Sequence, residues 1–407
     1  MSALARTPAG DPEPAHPEAE RSRARRDGVD RRAMAVLSAA HMVTDLGQGS
    51  IPALLPFLID RDGIDLTSAS ALILAATISS SVIQPLFGHF SDRRSLPWLM
   101  AIGPVLSGIG VALIGLMPSY WLIFAAVLLS GTGVAGFHPE GSRFAHHVSG
   151  DRRSSGMSLF SVGGNVGFAL GPALMTPAVL LLGLHGTLWV LVPATLMGIV
   201  VAHELPRLTA FREPAREQHA ATQASAWGPF ALLAVVISLR SFVYFGLVTF
   251  LPLYFIRVLH TGPGLGGAAL TAMLLGGAAG TLIGGPLADR YGRRRVLICS
   301  MLILPPLIVG LLVSGPALAI VFGALVGAAT IATFAITIVM GQEFLPARIG
   351  VASGVTIGLS IGLGGVGAPL LGLLAQADGL RSVFELLIAF PLLALGVCPW
   401  LPSRRRA

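Results

Sequence analysis

Gly285-Pro-Leu-Ala-Asp289-Arg290-Tyr-Gly292-Arg293-Arg294-Arg295 closes one long apolar stretch of this chain, and Gly88-His-Phe-Ser-Asp92-Arg93-Arg94 closes another. The glycines, the aspartates and the first arginines of the two segments all stand at one offset, 197 residues. Gly167-Phe-Ala-Leu-Gly171-Pro172 has a weaker echo in Gly364-Gly-Val-Gly-Ala-Pro369, and Pro172 to Pro369 is again 197. Two independent anchors at the same spacing point to a duplicated half.

The surroundings of these anchors are solvated by lipid. The 407 residues are 54% hydrophobic and only 12% charged, against roughly 25% charged in soluble domains, with a mean hydropathy of +0.77. A helix needs about 20 apolar residues to cross about 30 Å of hydrocarbon. The stretches 95–139, 153–204 and 296–342 are each long enough for two crossings, with breaks at Pro118-Ser119, Gly183–Gly186 and Ser314–Pro316. Single spans near 33–59, 66–91, 227–256, 264–288, 349–377 and 382–403 bring the expectation to twelve transmembrane helices. Six spans separate the repeated motifs, so the copies share one orientation. The expected fold is an all-α integral membrane protein, two parallel six-helix repeats around a central cavity. Its divisions are a disordered tail over 1–32, bundles at 33–203 and 227–403, a linker over 204–226 and a short end at 404–407.

Orientation follows from the arginines, which supply all 27 basic residues. One face receives only Arg61, Arg257 and Arg381. Arg240 lies within a span, and the remainder fall in the tails and opposite loops. By the positive-inside rule both termini are cytoplasmic. This asymmetry also accounts for the net charge of +7, so nucleic acid is not an expected partner. The first 32 residues are too polar for a cleavable signal, which makes the first span an uncleaved insertion signal.

Small residues recur every four positions as Gly163, Gly167, Gly171; Gly276, Gly280, Gly284; Gly350, Gly354, Gly358, Gly362; and Ala71, Ala75, Ser79. Such faces let helices approach closely in lipid. Two readings stand: a moving interface between halves, or ordinary packing.

Ionisable groups inside a span usually face a cavity or a partner. His41, Asp45, Gln48 and Pro52 share one stripe of the first helix. By the repeat offset Arg240 corresponds to residue 43, so Asp45 and Arg240 are expected at similar depth. One reading makes Asp45 the proton-coupling carboxylate, His41 a relay and Arg240 its counter-charge or the anchor of an anionic substrate, the two ions exchanging partners when cargo binds. The other is a permanent structural ion pair. His138 and Glu140 flank Pro139 near the inner end of the fourth span. Glu140 is open to two roles, a second protonation site or a gate with Arg143, with Glu343 at the matching end of the tenth span. Asn165 and Gln84 are candidates for substrate hydrogen bonds or interhelical packing. His146 and His147 lack the partners of a metal site, and Cys299 and Cys398 form no framework.

These motifs resemble the major facilitator superfamily, whose loop signature is G-x-x-x-D-R-x-G-R-R. The copy at 285–294 matches it fully; the copy at 88 departs after Arg94, where Ser95-Leu96-Pro97 follows. Gly136-Phe-His-Pro-Glu140-Gly-Ser-Arg143, Val162-Gly-Gly-Asn165 through Pro172 and Gln342-Glu343-Phe-Leu-Pro346-Ala-Arg348-Ile-Gly350, with His41 and Asp45, resemble its fosmidomycin-resistance subfamily. The resemblance implies a monomeric proton-coupled antiporter of the inner membrane. It would export small antibiotics, with fosmidomycin, an anionic phosphonate, as the type substrate, and need no cofactor beyond the proton gradient. It also implies a gate in which Gly88, Asp92, Arg93, Gly285, Asp289, Arg290, Gly292 and Arg293 hold the halves in the outward-facing state. The Gly167–Pro172 element resembles the antiporter motif. Leu128 stands where many drug antiporters carry an arginine, so a coupling scheme through that residue does not carry over. The nearest rival is an importer or facilitator of a small organic anion. A polytopic enzyme lacks any cluster of nucleophile, base and orienting acid.

Overall fold

The computed structural model describes residues 29–81, 83–84, 87, 96–149, 153–210, 225–345 and 349–402. The tail through 28, the loop bearing Gly88, Asp92 and Arg93, and the linker segment 211–224 lie outside the described residues.

All of the described secondary structure is helical. The N-terminal half comprises α1 (Arg31–Asp62), α2 (Leu66–Ser81), α3 (Leu99–Ile114), α4 (Tyr120–Val148), α5 (Arg153–Leu182) and α6 (Leu191–Thr209). The C-terminal half comprises α7 (Trp227–Arg257), α8 (Pro263–Tyr291), α9 (Arg293–Val313), α10 (Pro316–Ala332, resuming as Phe334–Phe344), α11 (Ile349–Gly358 and Gly364–Asp378) and α12 (Leu380–Val397). A π-helical turn, Leu359–Leu363, joins the two parts of α11. The twelve spans emerge in the expected order. Among the described residues, nine apolar helical stretches are long enough to cross a membrane, one of them the 54-residue run Gly156–Thr209. That run divides at the 3₁₀ segment Gly183–Val190, where Gly183 has φ +62°. Leu66–Ser81 and Leu99–Ile114 are shorter apolar helices.

The ends of these rods are written locally. Asp30 caps α1 by accepting the Ala33 N–H at 2.8 Å, which satisfies one of the orphan donors of the first turn. Pro263 starts α8 just after the cap residue Gly262. Gly292 breaks α8 from α9 at φ +92°, a conformation that suits glycine, which explains the glycine inside the repeated loop motif. α6 continues past the expected linker start at 204. Glu204 binds Arg32, and Arg207 reaches Asp30 at 2.9 Å, fastening that last turn to the start of α1.

Packing reassigns the small-residue faces. Side chains added at Gly163, Gly167 and Gly171 would run into the backbone of Ser38, Met42 and Gly49 on α1, and those at Gly276, Gly280 and Gly284 into Ala324, Ala328 and Ala332 on α10. Ser79 of α2 meets Gly131 of α4. These stripes therefore bind helices within one half, which is the packing reading. Among the described residues Gly358 and Gly362 have nothing within 4 Å of an added Cβ; the surroundings of Gly350 and Gly354 lie outside the described residues.

The halves touch elsewhere. α2 meets α11 where Gly365 abuts Thr77, Gly372 abuts Ser70, and Thr67 Oγ1 donates to Gln376 Oε1 at 2.9 Å. α5 meets α8 where Gly267 abuts Thr176 and Gly264 lies 3.6 Å from Leu180. The α5–α8 contact and the Thr67–Gln376 and Ser70–Gly372 contacts sit toward the ends of the spans nearest Arg61, Arg257 and Arg381, on the face opposite the termini, whereas Thr77–Gly365 lies deeper, beside the π turn. Gly285, nearer the other face, has nothing within 4 Å of an added Cβ among the described residues.

Candidate functional site

Two polar clusters occupy the middle of the bundle, one in each half. In the N-terminal half, α1 carries His41 and Asp45 one turn apart, and His41 Nε2 lies 3.2 Å from Asp45 Oδ2. α4 adds His138, whose Nε2 lies 3.4 Å from Asp45 Oδ1 and 3.1 Å from His41 Nε2. α5 closes the site from the side. The ring of Phe160 stacks on His41 with centroids 4.1 Å apart. Gly164 leaves the space the cluster fills, since an added Cβ would strike His41 and come within 2.7 Å of Asp45 Oδ2.

Hydrogen-bond inventory fixes what this cluster holds. His41 Nδ1 sits 2.8 Å from the Phe160 carbonyl and His138 Nδ1 sits 2.9 Å from the Val134 carbonyl. A carbonyl only accepts, so both Nδ1 atoms carry hydrogen. The two Nε2 atoms can then bond to each other only if one of them holds a further proton. One proton beyond two neutral rings and an ionised carboxylate lets the two imidazoles bond. Without it three acceptors face one another. Asp45 Oδ1 makes no hydrogen bond among the described residues, so the carboxylate keeps an acceptor free. The three ligand atoms lie within 4.8 Å of one another, and among the described residues this is where side chains converge on a cation-sized space. His138 keeps 23% side-chain exposure although it lies mid-bundle.

In the C-terminal half, Arg240 of α7 is 3% exposed. Its Nη2 donates to Ser360 Oγ at 3.1 Å and its Nη1 approaches Thr333 Oγ1 at 3.4 Å, while the guanidinium lies 5.4 Å from the Phe334 ring centre. Thr333 is the residue at which α10 breaks, and Ser360 lies in the π turn of α11. Departures of this kind often mark functional positions. Ser241 Oγ donates to the Ser360 carbonyl at 2.6 Å, which ties α7 to that turn. Among the described residues no carboxylate pairs with Arg240. Asp45 and Arg240 therefore do not form the expected ion pair, because one is enclosed by histidines and the other turns toward α10 and α11. Tyr244 lies one turn beyond Arg240 on α7.

The remaining sequence candidates separate. Gln48 Nε2 donates to Ser80 Oγ at 3.1 Å, joining α1 to α2. Asn165 and Gln84 are half-buried. Glu140 is fully buried; it accepts Arg143 Nη2 at 2.6 Å and the Leu96 N–H at 2.7 Å. Glu343 pairs with Arg293 at 2.5 Å. Leu96 and Arg293 are themselves 197 residues apart, so each acid holds the inner end of its fourth span to the start of its third. Asp289 and Arg290 are exposed at the end of α8, with Arg290 5.2 Å from the Tyr291 ring centre. Phe160, Gly164, Tyr244, Thr333, Phe334 and Ser360 were not singled out from sequence. Gly164 alone carried a signal, in the quoted Val162–Pro172 motif.

A family model described as Major Facilitator Superfamily matches residues 37–269 and 233–407. The chain is 32% identical over 369 residues to the uncharacterized MFS-type transporter YfnC of Bacillus subtilis, covering 88% of this chain and 90% of that protein. It is 30% identical over 381 residues to the fosmidomycin resistance protein of Escherichia coli K12, covering 91% and 93%. Among solved structures, a bacterial homolog of the human lysosomal transporter Spinster superposes with a TM-score of 0.73 at 15% identity, covering 90% of this chain and 96% of that one. The nucleoside transporter NupG superposes with a TM-score of 0.72 at 13% identity, covering 91% and 99%.

Proposed function

Because the chain belongs to the major facilitator superfamily, and so is a multi-pass membrane transporter, we propose that it is a proton-coupled antiporter. It exports small antibiotics or related compounds of the fosmidomycin kind by alternating access. On this reading it sits in the inner membrane with both termini in the cytoplasm, as the arginine asymmetry favours, and draws on the proton gradient alone. The observation that carries the reading is the His41–Asp45–His138 cluster, whose two imidazoles can bond to each other only with one added proton. Proton loss leaves acceptors facing acceptors across the contact of α1 with α4, so proton occupancy biases the wall of the N-terminal half. Arg240, on the facing half, is the anchor for an anionic cargo. Proton and cargo thus occupy separate sites linked by the movement of the halves, in place of a direct exchange of partners between Asp45 and Arg240.

A second reading, uptake or facilitated passage of a small organic anion, is favoured by one feature. A protonated cluster removes negative charge from the bundle and so does not oppose an anion at Arg240. Direction separates the two. In an efflux-deficient host, cells making the protein should accumulate less fosmidomycin than controls, and a protonophore should erase the difference. Greater accumulation, with or without the protonophore, sinks the export reading.

A further inference from the structure

The surroundings of Arg240 are incomplete. A guanidinium has five N–H donors and stays protonated throughout the accessible pH range. Here two donors meet hydroxyl oxygens. Those hydroxyls spend their own protons on helix carbonyls, Ser360 on Thr356 O at 2.7 Å and Thr333 on Thr330 O at 3.2 Å, so each offers Arg240 a neutral lone pair and no charge. The Phe334 face adds the field of a ring quadrupole. Ion pairing elsewhere in the described structure is direct: Arg32, Arg143, Arg207 and Arg293 each have a carboxylate within bonding distance. Arg240 is the most buried of these arginines and has none. A charge enclosed at this depth needs a counter-charge, since hydroxyls and a ring do not offset its lost hydration.

We propose that, between transport events, Arg240 holds a small monovalent inorganic anion of the chloride class, which an anionic cargo must displace. The charge count sets the valence. Arg240 is the one arginine placed inside a span, and it brings a single positive charge, so one negative charge neutralises it where a divalent ion would leave an excess. The hydroxyls have no hydrogen left to give, so the ion is held by the N–H groups of the guanidinium alone. Ser360 and Thr333 are positioning residues for the guanidinium. The inference rests on the geometry of Arg240 and stands whether the protein exports or imports.

The test uses the purified full-length protein, titrated with sodium chloride against sodium gluconate at constant ionic strength. Chloride-35 NMR line width reports binding, and the thermal midpoint reports stabilisation of the folded state. In the wild type both signals should saturate with one shared midpoint, and bromide should displace chloride. Arg240→Gln should weaken the response at least tenfold, and Ser360→Ala several-fold. A linear, unsaturable wild-type response overturns the proposal, as does an equal response in Arg240→Gln. Should Arg240→Gln fail to fold, Ser360→Ala decides, and unchanged chloride affinity there counts against the site. Transport is not read in this experiment, so its failure is distinct from failure of the export reading.

Discussion

Replacing Arg240 with Gln should separate cargo affinity from stability, with opposite signs. In the structure the guanidinium is buried, has no carboxylate partner among the described residues and is held by two hydroxyls. An anion about 4 Å from it gains about 4 kcal/mol at an effective dielectric constant of about 20. Glutamine keeps a neutral hydrogen bond worth about 1 kcal/mol. The difference of about 3 kcal/mol corresponds to about a 100-fold loss of affinity for an anionic cargo. Stability moves the other way or not at all. An arginine in a span costs about 2.5–3.5 kcal/mol on insertion scales, and removing it outweighs the loss of two hydroxyl contacts. The assay is equilibrium binding of a fosmidomycin-class anion to purified protein in chloride-free gluconate buffer, with thermal midpoints measured on the same samples without ligand. Affinity within about threefold of wild type would refute the anchor role. A steep fall in the ligand-free, chloride-free midpoint would refute the claim that the protein's own groups leave the charge uncompensated.

Other outcomes follow from neighbouring contacts. Gly164→Ala should lower proton-driven transport about tenfold or more while the protein still folds, because the added methyl pushes on His41 and Asp45 and overpacking of this kind costs about 1–3 kcal/mol; unchanged transport would mean that the cluster is not needed in this geometry. Glu140→Ala should destabilise the protein by about 1–3 kcal/mol, since it removes a buried carboxylate that accepts from Arg143 and from the Leu96 N–H, and its residual activity should keep the wild-type proton stoichiometry; an altered stoichiometry would restore Glu140 as a protonation site. Cysteines at 67 and 376 joined by a short bifunctional thiol reagent should arrest transport by locking α2 to α11, whereas full turnover would mean that this contact need not open. Burial pushes the Asp30 carboxyl up, but the Ala33 N–H and Arg207 outweigh it and hold it below its ordinary 3.8. Its contribution is therefore full at neutral pH and lost as pH falls through that lowered value. Asp30→Asn should cost about 0.2–1 kcal/mol at pH 7, this being a partly exposed pair, and the gap from wild type in thermal midpoint should close toward pH 3.

The twelve spans were legible because lipid solvation leaves its mark on composition, and the duplicated Asp-Arg motif set the frame. The stripe of His41 and Asp45 was legible because one helix fixes both positions. His138 was placed beside Glu140, its near neighbour in sequence, yet two residues along a helix turn about 200° and point apart. His138 faces α1, and Glu140 faces the start of α3. The repeat offset relates Arg240 to residue 43 along the helix but says nothing of direction around the helix axis, and direction decides whether it meets Asp45 or Ser360. Glycines at four-residue intervals announced close approach without naming the partner helix, so the series on α5 and α8 read as an inter-half surface when they bind α1 and α10. The break at Thr333 and the π turn at Leu359–Leu363 depend on packing and left no local signal beyond a glycine-rich run.

The central claim is that a proton on the His41–Asp45–His138 cluster moves against cargo. In proteoliposomes loaded with a pH-sensitive dye and given an outward gradient of fosmidomycin, the wild type should carry protons inward as the drug leaves, and Asp45→Asn, reconstituted to equal amount, should show no drug-linked proton flux. Protons leaving together with the drug, or an Asp45→Asn protein that still couples fully, would contradict it.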